Sequence, residues 1–468
     1  MCIRDRFVIG RIARLLPSIS VDTESADKEY RLSAKSTALE YAGEHIGGAL
    51  WQYFEGQGDA ERALAAMKDA SRYTRGHLSR DAVHALYGGA VTLSASRMDM
   101  ARSCHFAYFM RYGLKARERT GAGFDAPQIG TFVHDVMEHT LRQAKECGGL
   151  HTLSKEKLHA LVRASIEEYI DRVLPDLCEK SARFRYLFNR LCATIERIMD
   201  EVSEELQSSD FEPLAFELEF GADGQLPAIT IREENGTARV VGKVDRVDGW
   251  LHDGKLYLRV VDYKTGKKSF DLAELRYGLG LQMLLYLFTL KEEGQMLFGG
   301  HEIVPAGVLY TPAREPMLRC ARDTEPETIE KALKKELRRS GMVLEDPAVL
   351  QAMEHSALES PCYLPIAVKR DGAVTGSLAS AEQLGKLSKY VDHILHEITQ
   401  EVFAGNIDAD PYARTPQQSA CTYCEFASAC HFENGCGSDR MEYIKATKND
   451  EFWQYIDELN GEGAHENG

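Results

Sequence analysis

Residues 242–269 read GKVDRVDGWLHDGKLYLRVVDYKTGKKS, and this segment is the most informative in the chain. Two runs rich in Val, Leu and Tyr flank Asp253-Gly254, a dipeptide typical of a two-residue turn between antiparallel strands. We therefore predict a β-hairpin whose two strands lie side by side.

Two carboxylates and a lysine share one face of this predicted hairpin. Side chains alternate between the faces of a strand, so Asp245, Asp262 and Lys264 lie together, whereas Asp248 points away. Neighbouring carboxylates disfavour joint ionisation unless a cation is present, and Mg²⁺ or Mn²⁺ prefers such oxygen ligands. A bound cation lowers the pKa of a water and polarises a phosphoryl oxygen, while Lys264 positions that water or stabilises the developing charge. The alternative is an exposed hairpin with ordinary Asp–Lys cross-strand pairs.

The hairpin lies in a chain of 468 residues that combines helical and strand patterns. Residues 27–88 read as helices without a chemical motif, and further helices reach about residue 207. There the apolar period changes from 3.6 to 2, because four apolar residues at 214–220 alternate with Glu217 and Glu219. The remaining predicted elements are a helix at 273–290, a strand at 306–310, a helix at 326–339, a hairpin at 367–374 and a helix at 381–403. These elements predict an α/β core, a short mixed sheet flanked by helices, with a helical N-terminal region.

The overall charge argues against a protein that coats nucleic acid or an anionic membrane, because 72 acidic and 56 basic residues give −16. Residues 97–119 depart from this average, with six Arg or Lys, two acids and four Phe or Tyr. Such a helix suits a phosphate backbone with bases stacked nearby. The candidate DNA-binding residues are Arg97, Arg102, Arg111 and Lys115. An amphipathic helix with core aromatics and solvated arginines is the equally supported alternative.

The apolar runs are too short for a membrane protein, since none reaches the roughly 18 to 20 residues of a bilayer span. Met1–Arg6 is charged, lacks a subsequent signal-peptide core and joins poorly to the residues after it, so it is a candidate artefact. The eleven cysteines are too sparse for a disulfide scaffold. We therefore expect a soluble cytoplasmic protein with no membrane partner.

Three cysteines lie close together near the end of the chain, in the spacing Cys421-x₂-Cys424-x₅-Cys430. Closely spaced thiolates predict a metal or cluster site, although three of them leave one ligand missing. A zinc site usually shows a second C-x₂-C or a paired His, which fits imperfectly here, although His431 and Cys436 are nearby.

Four segments occur in the order of the motifs of the RecB-family PD-(D/E)XK nucleases. They are GTFVH at 130–134, GKVDRVD at 242–248, DYK at 262–264 and QMLLY at 282–286. The chain resembles that family, which implies a restriction-endonuclease-like nuclease core. The resemblance also implies that Lys264 is catalytic and that Mg²⁺ or Mn²⁺ is bound by His134, Asp245, Asp262 and the main-chain carbonyl of Val261. Taken alone, His134 would be interpreted as a partly buried structural histidine.

Gln282 and Tyr286 share a helix face because they are four residues apart. Their helix is apolar nearly all round, so a buried Gln needs polar partners. Packing toward the metal site or the DNA is the functional interpretation, and a satisfied core amide is the alternative. Because they follow DYK in the family's order, we count both among the catalytic candidates with Asp245, Asp262 and Lys264.

Members of this family with an iron–sulfur cluster carry a single cysteine far upstream of the His motif, and Cys104 occupies that position here. The resemblance therefore implies a [4Fe–4S] cluster held by Cys104, Cys421, Cys424 and Cys430, an iron–sulfur-stapled periphery. Such a cluster would close a very long loop and strongly restrict the unfolded chain.

The segment TGKKS at 265–269 suggests a phosphate loop only superficially. The Walker pattern G-x-x-x-x-G-K-[ST] needs Gly where Val261 stands and Ser or Thr where Lys268 stands. No ATP site is visible in this chain.

Within the family, the similar segments extend over roughly residues 90–456 to the B subunits of bacterial AddAB helicase–nucleases. This resemblance implies a 5′ to 3′ DNA exonuclease that acts in a heterodimer with an AddA-like helicase/nuclease subunit and resects double-strand breaks for recombinational repair. Residues 1–92 would then be a helical remnant of a helicase-like region, 93–440 the iron–sulfur nuclease domain, and 441–468 a C-terminal helix and acidic tail. The alternatives are a stand-alone iron–sulfur nuclease and a non-catalytic DNA-binding scaffold subunit.

Overall fold

The computed structural model describes residues 31–71, 74–118, 126–221, 224–321, 324–415 and 417–462. These residues form two compact units. The smaller unit contains the described residues through Gly76 together with His431–Met441, and the larger contains His77–Cys430 and the described residues from Glu442 onward. The predictions for Met1–Arg6, for the loop before Ala126 and for the last residues of the acidic tail lie outside the described residues.

The smaller unit is helical, as predicted for this part of the chain. Its helices are α1 Lys35–Glu44, α2 Ala49–Phe54 and α3 Asp59–Ser71. They enclose a small apolar core whose largest members are Trp51, Phe54 and Leu64. An ion pair of 2.9 Å between Arg75 and Asp439, both only 10% exposed, ties the His431–Met441 segment into this unit.

The larger unit contains the remaining elements. Its α-helices are α4 Arg80–Tyr87, α5 Ala95–Ser103, α6 His105–Tyr108, α7 Ala126–Glu146, α8 Lys155–Val173, α9 Ala182–Gln207, α10 Leu272–Arg276, α11 Gln282–Glu293, α12 Pro326–Glu336, α13 Pro347–Met353, α14 Ala381–Ala404, α15 Ala427–Cys430 and α16 Asn449–Glu462, with a π-helical turn at Phe109–Gly113 and 3₁₀ turns at Leu150–Thr152 and Leu177–Glu179. Its strands are β1 Ala90–Leu93, β2 Glu212–Phe220, β3 Ile229–Glu233, β4 Gly236–Val240, β5 Gly242–His252, β6 Lys255–Lys264, β7 Glu302–Pro312, β8 Ser340–Leu344, β9 Ile366–Val368, β10 Val374–Gly376, β11 Leu378–Ala379, β12 Tyr412–Thr415, β13 Gln418–Ser419 and β14 Glu442–Tyr443. Every helix in the described part of the chain is too short or too polar to span a lipid bilayer.

The central sheet has six strands in the order β11-β8-β7-β6-β5-β2. The pairs β2–β5, β5–β6 and β7–β8 are antiparallel, whereas β6–β7 and β8–β11 are parallel. Helix α11 packs on β6 and β7, and α7 packs against β2. The structure therefore confirms the predicted α/β core with a mixed sheet flanked by helices.

The hairpin at 242–264 forms as predicted. Strands β5 and β6 pair from Arg246–Val261 to His252–Lys255, and only Asp253 and Gly254 lie between them. Both turn residues have positive φ angles, 49° and 77°, which the two-residue turn requires. The turn therefore sets the register that determines which side chains of β5 and β6 face each other.

Two predicted helices are interrupted. The helix expected at 273–290 is split into α10 and α11, because Gly278 and Gly280 adopt left-handed φ angles of 73° and 69°. The break makes Gln282 the first residue of α11. The helix expected at 97–119 is interrupted at Cys104, whose backbone is extended with φ −175° and ψ 122°.

The larger unit begins before the predicted boundary at residue 92. Strand β1 pairs in parallel with β4, and α4 packs against α14, so residues 77–92 fold with the sheet-containing unit. The C-terminal helix α16 also packs against α14 and belongs to the same unit. The long-range pairing of β1 was not visible in the local sequence pattern. The domain boundaries at residues 92 and 440 stay a prediction.

Candidate functional site

The predicted carboxylates and lysine meet where β5 begins and β6 ends. Because Arg246 pairs with Val261, Asp245 lies opposite Asp262 on the adjoining strand. Their side chains are only 11% and 4% exposed. Lys264 Nζ lies 2.6 Å from Asp262 Oδ2. The structure thus brings these three side chains to one place.

His134 reaches this place from helix α7. The neighbouring residues Phe132, Val133 and Val136 are fully buried, which holds this face of the helix against the core. His134 Nδ1 lies 3.3 Å from Asp245 Oδ1, and its Nε2 lies 2.9 Å from the main-chain oxygen of Tyr263. A helix and two strands therefore converge on a single cluster of donors.

Glu217 joins the cluster, although the sequence interpretation did not assign it a role. Phe216 pairs with Arg246 and Leu218 with Val244, so Glu217 lies opposite Asp245. Its φ of 47° is rare for a non-glycine residue within a strand. Its carboxylate lies 4.0 Å from His134 Nδ1 and 2.6 Å from Lys243 Nζ. The only hint in the sequence was that Glu217 alternates with apolar residues. Such alternation is typical of any strand with one solvated face, so it did not indicate a site.

Electrostatics at the site favour an added positive charge. Burial and the charge of Asp245 raise the pKa of Asp262 to about 6. Burial lowers the pKa of His134, but its contacts with Asp245 outweigh burial and raise that pKa to about 9. Ligand atoms of His134, Glu217 and Asp245 lie within 4.8 Å of one another, the only such group among the described residues. This oxygen-rich donor set fits a divalent cation such as Mg²⁺ or Mn²⁺.

The main-chain carbonyl that contacts His134 is that of Tyr263, and metal binding by the Val261 carbonyl stays a prediction. Val261 is buried within the sheet, between Arg246 of β5 and Leu309 of β7. The β5–β6 ladder ends there, so the backbone of Tyr263 is available to other groups. Its N–H donates to Asp245 Oδ2 at 2.8 Å, and its carbonyl contacts His134.

Gln282 and Tyr286 pack behind the start of β5. Gln282 Nε2 donates to the Tyr286 hydroxyl at 3.3 Å, and that hydroxyl accepts from the Lys243 backbone N–H at 3.4 Å. A Cβ at Gly242 would lie 2.5 Å from the Tyr286 ring and 2.7 Å from that of Phe220, so glycine is required there. These contacts support the strand that carries Asp245. The catalytic assignment of both residues stays a prediction.

The opposite face of the hairpin carries a buried ionic network, defined by Glu205, Arg246, Asp248, Arg259 and Arg339. Asp248 points away from the site, as predicted, and its carboxylate contacts Arg246 at 2.8 Å and Arg259 at 2.9 Å. Arg246 also donates to the Tyr263 hydroxyl at 2.7 Å. Because the Tyr263 backbone contacts Asp245 and His134, this residue joins the network to the site.

Two arginines of the basic segment predicted to bind DNA form ion pairs with carboxylates elsewhere in the larger unit. Arg102 is paired with Glu397 and Glu401 and is only 14% exposed. Arg111 contacts Glu425 at 2.7 Å. These long-range partners give both arginines structural roles, which neither the DNA-binding interpretation nor its solvated alternative anticipated.

The other two candidates of this segment differ from each other. Arg97 donates to the Thr92 carbonyl at 2.6 Å and its guanidinium lies over the Tyr112 ring. Lys115 is exposed, with a positive φ of 56°. DNA binding by Arg97, Arg102, Arg111 and Lys115 stays a prediction.

The four cysteines predicted to hold a cluster are all unbridged thiols. Burial and the neighbouring Cys424 and Cys430 raise the pKa of Cys421 to about 11, so these three thiols lie near one another. Burial raises the pKa of Cys104 to about 12. Among the described residues, no three cysteines bring their sulfurs within 4.8 Å of one another.

Known proteins resemble this chain over most of its length. Residues 92–431 match the model of the PD-(D/E)XK nuclease superfamily. The chain is 29% identical over 97% of its length to the B subunit of the ATP-dependent helicase/deoxyribonuclease of Ruminiclostridium cellulolyticum, covering 42% of that protein. It is 32% identical over 87% of its length to the protein of the same name from Acetivibrio thermocellus, covering 35% of it.

A third relative with this name, from Thermoanaerobacter sp. strain X514, is 31% identical over 81% of the chain. The chain spans about a third to two fifths of the length of these curated relatives. The superfamily match extends over well over half of the chain and includes His134, Asp245, Asp262 and Lys264. The chain therefore belongs to the PD-(D/E)XK nuclease superfamily.

Proposed function

We propose that this chain is the nuclease part of the B subunit of an ATP-dependent helicase/deoxyribonuclease and hydrolyses phosphodiester bonds of DNA with Mg²⁺ or Mn²⁺. The observation that carries this proposal is the convergence of His134, Asp245 and Asp262 beside Lys264. The name of the relatives supports DNA as the substrate and a further subunit as the partner. The family resemblance is what points to an AddA-like helicase subunit as that partner.

In this proposal, one group of side chains would bind the cation and Lys264 would interact with the water or the phosphate. His134, Glu217, Asp245 and Asp262 would hold the cation, which when bound acidifies a water and polarises a phosphoryl oxygen. Lys264 Nζ, held by Asp262, donates a hydrogen bond to the attacking water or to the phosphate as negative charge develops.

The direction and setting of cleavage follow from the family resemblance. We propose 5′ to 3′ exonuclease action on a strand delivered by the partner helicase, during resection of double-strand breaks. A DNA substrate and the sparse, unbridged cysteines favour the cytoplasm as the compartment.

We also propose a [4Fe–4S] cluster on Cys104, Cys421, Cys424 and Cys430. Sulfurs around a single tetrahedral zinc ion lie about 3.8 Å apart, a convergence that no three cysteines of the described residues have. The choice of a cluster over zinc rests on the family resemblance, and the thiols of Cys424 and Cys430 lie near that of Cys421. The Arg111–Glu425 ion pair, 314 residues apart in sequence, supports the proximity of the Cys104 segment to the cysteine loop.

The nuclease proposal is tested by Lys264→Ala in a Mg²⁺-dependent DNA cleavage assay. Loss of cleavage with unchanged iron content is expected, because Lys264 lies outside the cysteine cluster. Lys255→Ala is the matched control, since Lys255 is an exposed lysine at the other end of the same strand. Undiminished cleavage by the Lys264 variant would contradict the catalytic role of Lys264.

The cluster proposal is tested by measuring iron, sulfide and zinc, with a visible absorption spectrum. We expect about four iron and four sulfide per chain, reduced in Cys421→Ser and unchanged in Cys147→Ser, an exposed cysteine outside the set. Stoichiometric zinc without iron would contradict the cluster.

A further inference from the structure

The segment that failed the Walker pattern lines a cavity beside the catalytic lysine. Gly266–Ser269 borders a cavity of about 330 Å³ that also includes Lys264, Tyr310 and Ser340 in its wall. The cavity begins where β6 ends, so it adjoins the proposed cleavage site directly. The TGKKS segment therefore lines a cavity next to the proposed cleavage site, although it does not form an ATP site.

The wall of this cavity is strongly basic, in contrast to the chain as a whole. Its charged members are Lys264, Lys267, Lys268, Arg314, Arg338 and Glu336. Five positive groups thus face one carboxylate, whereas the chain carries a net charge of −16. A concave surface with one sign of charge concentrates ligands of the opposite sign. We name this surface the basic pocket.

The positive charge of the basic pocket is only partly compensated by its own surroundings. Arg314 lies 3.4 Å from Glu336, and Lys268 lies 3.7 Å from Glu274, so both ion pairs are loose. Arg338 donates to three carbonyls of the 361–366 segment. These bonds use three of its five N–H groups and do not neutralise its charge. Lys267 is exposed. The pocket therefore presents charge that an anionic ligand could neutralise.

An apolar pocket adjoins the basic pocket. It has a volume of about 350 Å³, and its wall includes Thr265, next to Gly266 of the basic pocket, and Arg314, which both pockets share. Its apolar wall includes Phe184, Leu187 and Leu191 of helix α9, and Leu187 is 51% exposed. Proteins that bind single strands combine a positive groove for the backbone with apolar or aromatic surface for the bases.

We propose that single-stranded DNA leaves the cleavage site along these two pockets, with phosphates held by Lys267, Lys268 and Arg338 and a base in the apolar pocket. This inference rests on the proposed nuclease function and adds the path of the substrate. A single strand is the occupant because a base stacked within a duplex cannot enter an apolar pocket beside its own phosphate. Arg102 and Arg111 of the 97–119 segment compete less for this role, since both already bind carboxylates.

The phosphate half is tested with Lys267→Ala/Lys268→Ala in the full chain. Binding of a fluorescent single-stranded oligonucleotide is titrated in EDTA, so that cleavage does not contribute. The double variant should bind about tenfold more weakly, and the slope of log affinity against log salt should fall by about 1.4, the value for two lost phosphate contacts. Lys255→Ala, at the far end of β6 and about 30 Å from Lys264, should bind as the unchanged chain does.

The base half is tested with Leu187→Asn and a matched control. Leu251→Asn changes a similarly exposed leucine, 54% accessible, on the hairpin. Leu187→Asn should weaken binding of a normal oligonucleotide about threefold, without affecting an oligonucleotide that lacks bases. Equal effects on both oligonucleotides would overturn the apolar half of the path.

The outcomes separate this inference from the proposed function. If the unchanged chain cleaves DNA with Mg²⁺ but the double lysine variant binds and cleaves equally well, the path is wrong and the nuclease function stands. If the unchanged chain binds no single-stranded DNA, the path is wrong as well. Failure of the unchanged chain to cleave any DNA would instead overturn the nuclease function.

Discussion

The two faces of the β5–β6 hairpin differ in how the charge of a buried carboxylate is balanced, and the pKa values shift in opposite directions. On one face, Asp262 has one lysine beside it, and burial and a neighbouring carboxylate raise its pKa to about 6. Against the other face, Glu205 of helix α9 is also buried, but three guanidinium groups outweigh burial and lower its pKa to about 2. Buried carboxylates that are neutralised by arginines stabilise the fold. Buried carboxylates with too few positive neighbours repel each other, and a bound cation would relieve that repulsion.

The largest difference between the faces is expected from Asp262→Asn. Removing this charge should reduce Mg²⁺-dependent cleavage by about 10³-fold, because the cation loses a ligand and Lys264 loses its partner. The temperature of unfolding should stay the same or rise, since repulsion from Asp245 disappears. Cleavage within tenfold of the unchanged chain would contradict the role of this face.

The opposite face should respond to Asp248→Asn with a loss of folding. Asp248 is fully buried between Arg246 and Arg259, so its replacement leaves buried guanidinium charge uncompensated. We expect a loss of about 3–5 kcal/mol in the free energy of unfolding, measured by urea denaturation. A stability equal to that of the unchanged chain would show that the buried ionic network is dispensable.

Replacing two glycines of the family motifs by alanine should change the stability of the protein in opposite directions. Gly242→Ala places a methyl group 2.5 Å from the Tyr286 ring, so we expect a loss of about 1–3 kcal/mol of stability. Gly130→Ala, in helix α7, meets no atom within 4 Å and should gain up to about 1 kcal/mol from helix propensity. Thermal unfolding of both variants measures this contrast, and a destabilised Gly130 variant would contradict it.

The smallest expected effect is in the pH dependence of stability. Because the pKa of Glu205 is lowered from 4.5 to about 2, its contribution is complete above pH 4.5 and is lost as pH falls toward 2. Between pH 4.5 and 3.5 this loss amounts to about 1 kcal/mol. Glu205→Gln should therefore be less stable at neutral pH and show a flatter decline over that range. An unchanged slope in urea titrations would contradict the lowered pKa.

The local parts of the fold and site were predictable from sequence. The turn at Asp253-Gly254 and the period of two were enough to place Asp245 opposite Asp262, because both depend only on neighbouring residues. The break of the 273–290 helix was missed, although Gly278 and Gly280 are visible in the sequence. Their left-handed conformations override the apolar period of the surrounding segment.

The long-range parts were not predictable. The carboxylate partner of Arg111 lies 314 residues away and one partner of Arg102 lies 299 residues away, so no local pattern could reveal them. Glu217 entered the site through an unusual backbone angle that a regular strand would not adopt. The family resemblance supplied the proposed metal-binding role of His134, which periodicity alone would have left as a structural residue.

The long-range ion pairs also order the events of synthesis. A ribosome makes Arg102 and Arg111 roughly 300 residues before Glu397, Glu401 and Glu425, so the α5–α6 segment has no carboxylate partners while most of the sheet emerges. The sheet is complete through β11 at Ala379 before any of these partners is made. These ion pairs can therefore form only after every residue of the β5–β6 hairpin has been made.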